Sequence, residues 1–181
     1  MKKPINFILK VIVIGEPAAG KTSLVKKYVS GHFPTDYRAS IGTNMYIKKV
    51  GLDSGQEAKI QLWDIAGQEK WIQMRHIYYK GAQGALILGD LTREKSFSQI
   101  EEFWFNDVKK YCPDIPIILI GNKTDLDGEI SKEKVEDIGK KIDANSVIFT
   151  SAKSGDNVEK AFKEISELVY ERRMNLKKED N

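Results

Sequence analysis

Eight consecutive residues, Gly15-Glu16-Pro17-Ala18-Ala19-Gly20-Lys21-Thr22, carry the spacing G-x-x-x-x-G-K-T, and Ser23 follows them. A loop with so few bulky side chains lets backbone N–H groups, here Ala18 through Thr22, converge on phosphate oxygens. The segment that follows adds the positive N-terminus of a helix. In such a loop the lysine reaches the β- and γ-phosphates and the threonine hydroxyl ligates Mg²⁺. Pro17 has no N–H to offer, so its neighbours must supply the donors.

Three further clusters extend this chemistry. IQLWDIAGQE, residues 60–69, ends an apolar run in Asp64 and continues through Gly67 and Gln68. A carboxylate at a strand end beside a phosphate loop holds Mg²⁺ directly or through water. A glycine next to it presents its N–H where a side chain would clash, and a glutamine amide orients water as donor and acceptor. ILIGNKTDL, residues 118–126, places Asn122, Lys123, Asp125 and Leu126 just past another apolar run. A carboxylate there accepts two hydrogen bonds from the N1–H and amino group of guanine. Adenine has no such donor pair, and leaving the carboxylate unpaired costs several kcal/mol, of the order of 2–7 kcal/mol for a buried polar group. FTSAKSG, residues 149–155, supplies Ser151, Ala152 and Lys153, where a backbone N–H serves the guanine oxygen and the lysine stem covers the ring.

Elements must hold these clusters together. Apolar, β-branched runs at 7–14, 60–65, 84–90, 116–121 and 146–150 read as strands, and helix-length segments fall near 21–30, 94–111, 131–142 and 156–174. TNMYIKKVGLDSGQEAKIQLWDI reads as two strands turned at Asp53-Ser54-Gly55. This alternation predicts an α/β fold, a mostly parallel sheet with helices on both faces and one antiparallel hairpin strand. Ligands in such sheets bind beyond the carboxyl ends of the strands, where each cluster falls.

Composition narrows the classes. A chain of 181 residues with 41% apolar and 30% charged side chains suits one globular domain, placed at 1–175 with a short polar tail at 176–181. The net charge of +3 comes from scattered lysine pairs on solvated faces, which argues against a nucleic-acid surface. Cys112 is the single cysteine, so neither an internal disulfide framework nor a cysteine-built metal site is expected. The basic, apolar start MKKPINFILKVIVIG is interrupted by Lys10 and lacks a small-residue cleavage site, so a first strand is expected rather than a signal peptide, and a cytoplasmic location.

The four motifs together resemble the Ras superfamily of small GTPases over essentially the whole chain. The phrases IQLWDIAGQEKW, YYKGAQG, GNKTDL and TSAKSG are most similar to the Rab-type branch. SIGTNMY also resembles small GTPases of archaea. The resemblance implies a three-layer P-loop fold with a six-stranded sheet, binding of GTP/GDP with Mg²⁺, and slow hydrolysis of GTP to GDP in a molecular switch. A GTP-binding module with little hydrolysis is the alternative. Residues 33–45 and 66–79 match the two switch segments. Phe33 matches the aromatic that packs on guanine, and Tyr37 the one that folds over the phosphates. Gly15, Ala18, Ala19, Gly20, Lys21, Thr22 and Ser23 match the phosphate loop, with Asn122, Lys123, Asp125, Leu126, Ser151, Ala152 and Lys153 at the base. Thr22, Ser40 and Asp64 match the metal site, and Gln68, Lys21, Ser40 and Gly67 the catalytic set.

Ser40 replaces the usual switch threonine and keeps its hydroxyl but not its methyl, which implies a weaker preference for the closed GTP form. Pro17 occupies a position usually held by a small residue. No arginine stands where a finger is obvious, since Arg38 lies in one switch and Arg75 on the helix of the other, so turnover of about 10⁻⁴ to 10⁻² s⁻¹ is expected without a partner. The family implies an activating protein, an exchange factor and effectors acting on a monomer. Met45, Trp63 and Tyr78 match the aromatic effector triad, and Trp71 is a further candidate platform. His32, His76 and the FWF run at 103–105 are assigned to packing. Without a cysteine near the end or a glycine at position 2, membrane contact is expected only through partners.

Overall fold

The computed structural model describes residues 7–36 and 41–179. Tyr37 and Ser40 therefore lie outside the described residues. Among the described residues six strands form one sheet, in the order β2-β3-β1-β4-β5-β6. They are β1 (Phe7–Gly15), β2 (Thr43–Gly51), β3 (Glu57–Ile65), β4 (Gly84–Asp90), β5 (Ile117–Asn122) and β6 (Ser146–Thr150). Only β2 runs antiparallel to its neighbour β3; the other pairings are parallel. The β2–β3 turn falls at the expected Asp53-Ser54-Gly55, closed by hydrogen bonds from Gly55 N to the Leu52 carbonyl and from Leu52 N to the Gln56 carbonyl.

The period-two alternation of β1 explains the layers. Leu9, Val11 and Val13 point to one face and pack with Leu24, Val25 and Tyr28 of α1 (Lys21–Ser30) and with Phe162, Ile165 and Val169 of α6 (Val158–Glu179). Ile12 and Ile14 point to the other face. There they meet Tyr79 of α2 (Ile72–Tyr79), Phe97 of α3 (Glu94–Gln99), Val108 of α4 (Phe105–Tyr111) and Val135 and Ile138 of α5 (Lys132–Lys141). The central strands are buried on both faces, which is why β4 and β5 read as unbroken apolar runs.

Two elements differ from the sequence reading. The segment 94–111 is not one uniform α-helix, because a π-helical stretch, Ile100–Trp104, separates α3 from α4. Phe97, Ile100, Trp104 and Val108 keep one buried stripe through it. Helix α6 continues to Glu179, past the 175/176 boundary placed from composition. Among the described residues no helix is long and apolar enough to cross a membrane.

The register brings the motifs to one edge. Gly15 pairs with Leu88, Asp90 with Asn122, and Asn122 with Thr150, so the ends of β1, β4, β5 and β6 stand side by side.

Candidate active site

The first cavity at this edge has a volume of about 520 Å³ and is lined by the loop residues Pro17, Ala18, Gly20, Lys21, Thr22 and Ser23. Phe33 and, across from the loop, Gly67 and Gln68 also line it. A second cavity of about 310 Å³ adjoins it through Ala18, Gly20, Ser23 and Phe33, and is lined by Asn122, Lys123, Asp125, Leu126, Ala152 and Lys153. Together they form one cleft with a cationic end and an end bearing a carboxylate.

At the cationic end, α1 begins after Gly20 (φ 95) with no capping side chain and no acidic residue in its first turn. The positive end of the helix therefore faces the loop with no carboxylate beside it. Glycine is required at position 20 for its left-handed backbone and for space: a Cβ there would lie 2.3 Å from Asn122 Nδ2. Lys21 is buried and donates from Nζ to the carbonyls of Gly15 (2.9 Å) and Glu16 (2.8 Å). Burial pulls its pKa down to about 8, although Asp64 and Glu16 raise it. A buried ammonium short of countercharge favours an anion beside it.

Asp64 is fully buried at the end of β3, and Thr22 Oγ1 donates to its Oδ2 at 2.6 Å. Burial raises its pKa against the pull of Thr22, Lys21 and Lys26. Its Oδ1 is buried and has no hydrogen-bond partner among the described residues. Among the described residues no group of three His, Cys, Asp or Glu side chains gathers; the oxygen donors here are the Thr22 hydroxyl and this carboxylate. That donor set suits a hard, oxygen-seeking ion such as Mg²⁺. Gly67 packs against the loop so closely that a Cβ would lie 2.4 Å from the Gly15 carbonyl oxygen and 2.7 Å from Pro17 N.

Other predicted residues stand behind the cleft and support it. Asn122 is buried; its Nδ2 donates to the Ala19 carbonyl (3.0 Å), and its Oδ1 accepts from Thr150 Oγ1 (3.0 Å) and Ala152 N (3.3 Å). The two ends of the cleft are thus one bonded unit. Ser151 Oγ donates to Asp125 Oδ1 at 2.6 Å and orients that carboxylate. Lys123 donates to the Ala18 carbonyl at 3.0 Å and to Asp90 Oδ2 at 2.7 Å.

Asp90 and Arg93 were not among the residues predicted from sequence. Asp90, at the end of β4, accepts from Lys123, from the backbone N and hydroxyl of Thr92, and from Arg93 Nε (3.1 Å). Burial pushes its carboxyl up, but hydrogen bonds from Lys123, Thr92 and Arg93 outweigh this and hold it below the usual value. Arg93 Nη2 donates to the Pro17 carbonyl at 2.8 Å. The only sequence signal was Asp90's place at a strand end.

Arg75 lies on α2, the helix expected to carry it, but is buried there. It is 1% exposed, 3.2 Å from Asp107 through Nε, and lies over the rings of Phe103 (4.6 Å) and Trp104 (4.7 Å). Met45 and Trp63 are register partners, and the Tyr78 ring lies 6.3 Å from that of Trp63, with Met45 exposed. Trp71 is half-buried, not a fully exposed platform.

The family model described as "Ras family" matches residues 10–171. The chain is 36% identical to the Ras-related protein Rab-30 of Homo sapiens over 174 residues, covering 94% of this chain and 84% of that protein. It is 34% identical to the Ras-related protein Rab-18-B of Danio rerio, covering 90% and 80% respectively. Against a GTP-binding RHO-like protein of Candida albicans the identity is 35%, covering 88% of this chain but 46% of that protein, so the chain spans about half the length of that relative.

Proposed function

This chain belongs to the Ras family of small GTPases, a GTP-binding switch that hydrolyses GTP to GDP, and we propose how its own residues perform that cycle. Guanine occupies the smaller cavity, where Asp125, oriented by Ser151, accepts from its N1–H and amino group. Ala152 N and the Lys153 stem serve its oxygen and ring face, with Leu126 and Phe33 closing the sides. The phosphates occupy the larger cavity, against Lys21 and the N–H groups of the loop and helix α1. The single observation that carries this reading is the bonded bridge from Asn122 to Ala19 and Lys123 to Ala18, which fixes the distance between the two ends.

Thr22 and Asp64 would hold Mg²⁺, and the Asp64 Oδ1, without a partner among the described residues, is available to that site. When bound, the ion neutralises charge on the β- and γ-phosphate oxygens. Lys21 neutralises more of that charge, and its ammonium keeps its proton throughout because the anion raises its affinity for it. Gln68 orients water for in-line attack, and the Gly67 N–H meets the γ-phosphate. Ser40, outside the described residues, supplies a hydroxyl and a carbonyl to the same site. Release of the γ-phosphate frees the segments 33–45 and 66–79 to change order, and effectors read that change at Met45, Trp63 and Tyr78. Regulators and effectors are its partners, acting on a monomer in the cytoplasm.

A phosphate-release assay on purified protein tests this. GTP with Mg²⁺ yields GDP and one phosphate per site at a slow rate, and chelation of the metal abolishes it. GTP held for days without phosphate release would contradict hydrolysis, and unchanged turnover after chelation would contradict the metal site.

A further inference from the structure

Each carbonyl from Gly15 to Ala19 is taken by a side-chain donor: Lys21 covers Gly15 and Glu16, Arg93 covers Pro17, Lys123 covers Ala18 and Asn122 covers Ala19. A trans peptide points its N–H opposite to its C=O, and none of the described peptides is cis. Pulling the carbonyls of Gly15, Pro17 and Ala19 toward these donors turns the N–H groups of Glu16, Ala18 and Gly20 the other way, as an anion nest requires, while the Ala19 N–H closes the turn onto the Glu16 carbonyl.

Ala18 is the strained point of the nest. Its φ of 64 lies in the left-handed region, which costs a residue with a Cβ about 1 kcal/mol or more. Such a conformation persists only where its surroundings over-determine it. The carbonyl preceding the Ala18 α-carbon is gripped by Arg93 at 2.8 Å, and the one following it by Lys123 at 3.0 Å. Both cations are tied to the same buried oxygen, Asp90 Oδ2. Ala19 N–H closes this turn onto the Glu16 carbonyl at 3.2 Å, with Pro17 at its second position and Ala18 at its third, where glycine is the usual residue; Arg93 and Lys123 hold the two peptides flanking Ala18 in that turn.

We propose that Arg93 is a positioning residue for nucleotide binding: anchored on Asp90, it fixes the Pro17 peptide and, with Lys123, holds Ala18 left-handed so that the loop keeps its phosphate-binding shape. The inference rests on the nucleotide's phosphates lying in this loop. The Arg93 guanidinium is engaged with Asp90 and Pro17, so it acts on the loop and not on the transition state. Its side chain is 42% exposed, so removing it leaves no cavity in the core.

The test follows release of fluorescent GDP and of a fluorescent non-hydrolysable GTP analogue from Arg93→Ala protein. Both nucleotides leave about tenfold faster, the effect of one charge-assisted hydrogen bond, while single-turnover hydrolysis changes less than about threefold. Adding Ala18→Gly to Arg93→Ala slows release again, because glycine adopts φ 64 without a clamp; a general loss of packing would not be rescued this way. Release at the native rate from Arg93→Ala, no rescue by Ala18→Gly, or hydrolysis lost with release unchanged would each overturn the proposal. Native GDP retention by Lys21→Ala would instead overturn the placement of the phosphates.

Discussion

Gly67 has almost no room: a Cβ would stand 2.4 Å from the Gly15 carbonyl oxygen and 2.7 Å from Pro17 N, both backbone atoms that cannot swing aside. Gly67→Ala therefore pushes the loop carrying Gln68 off the phosphate loop. Single-turnover hydrolysis falls by at least about 100-fold while the base end still binds guanine, because removing one aligned group at such a site costs about 10²–10³ in rate. Hydrolysis at the native rate would show that the loop can shift freely. Gln68→Leu keeps the backbone and removes only the amide, so it lowers turnover about tenfold or more with GDP affinity unchanged, read by phosphate release beside a binding titration. These residues were legible in the sequence because local spacing encodes them. Arg93 was not legible, since its partner Pro17 lies 76 residues away and only the pairing of β1 with β4 brings them together.

At the scale of elements, the strands and helices α1, α5 and α6 were readable from period and composition; α2 entered only as the switch helix the resemblance implies, and the interior of 94–111 was not readable. The π-helical turn Ile100–Trp104 leaves no mark in the apolar pattern, because the buried stripe of Phe97, Ile100, Trp104 and Val108 passes through it. Nor does sequence show that Arg75, on α2, is buried against Asp107, Phe103 and Trp104. That contact pins the helix following Gln68 to the π turn and α4. Arg75→Ala strips a buried guanidinium from two rings and leaves Asp107 unpaired, so it destabilises the GDP-bound protein by about 3–5 kcal/mol. Urea unfolding measures this, and Arg75→Ala with Asp107→Ala costs less than the two single changes summed. Strict additivity would remove the coupling between these elements.

At the scale of the whole molecule, one buried carboxylate ties three strand ends together. Asp90 ends β4, its partner Lys123 follows β5, and the loop both serve follows β1. Hydrogen bonds from Lys123, Thr92 and Arg93 depress its pKa despite burial, so it contributes stability that is complete above the ordinary aspartate value of about 4. That contribution is lost as pH falls through the lower folded value. Asp90→Asn therefore flattens the acid limb of the stability curve below about pH 4 and lowers stability at pH 7; an unchanged acid limb would contradict the linkage. The parallel sheet was foreseen from the alternation of strands and helices, yet this hub required the register. The most direct measurement is calorimetric titration of nucleotide-free protein with GDP and ADP in Mg²⁺. GDP binds about 10⁴ more tightly than ADP, a preference largely erased by Asp125→Ala; equal affinity for the two purines would contradict guanine recognition by Asp125.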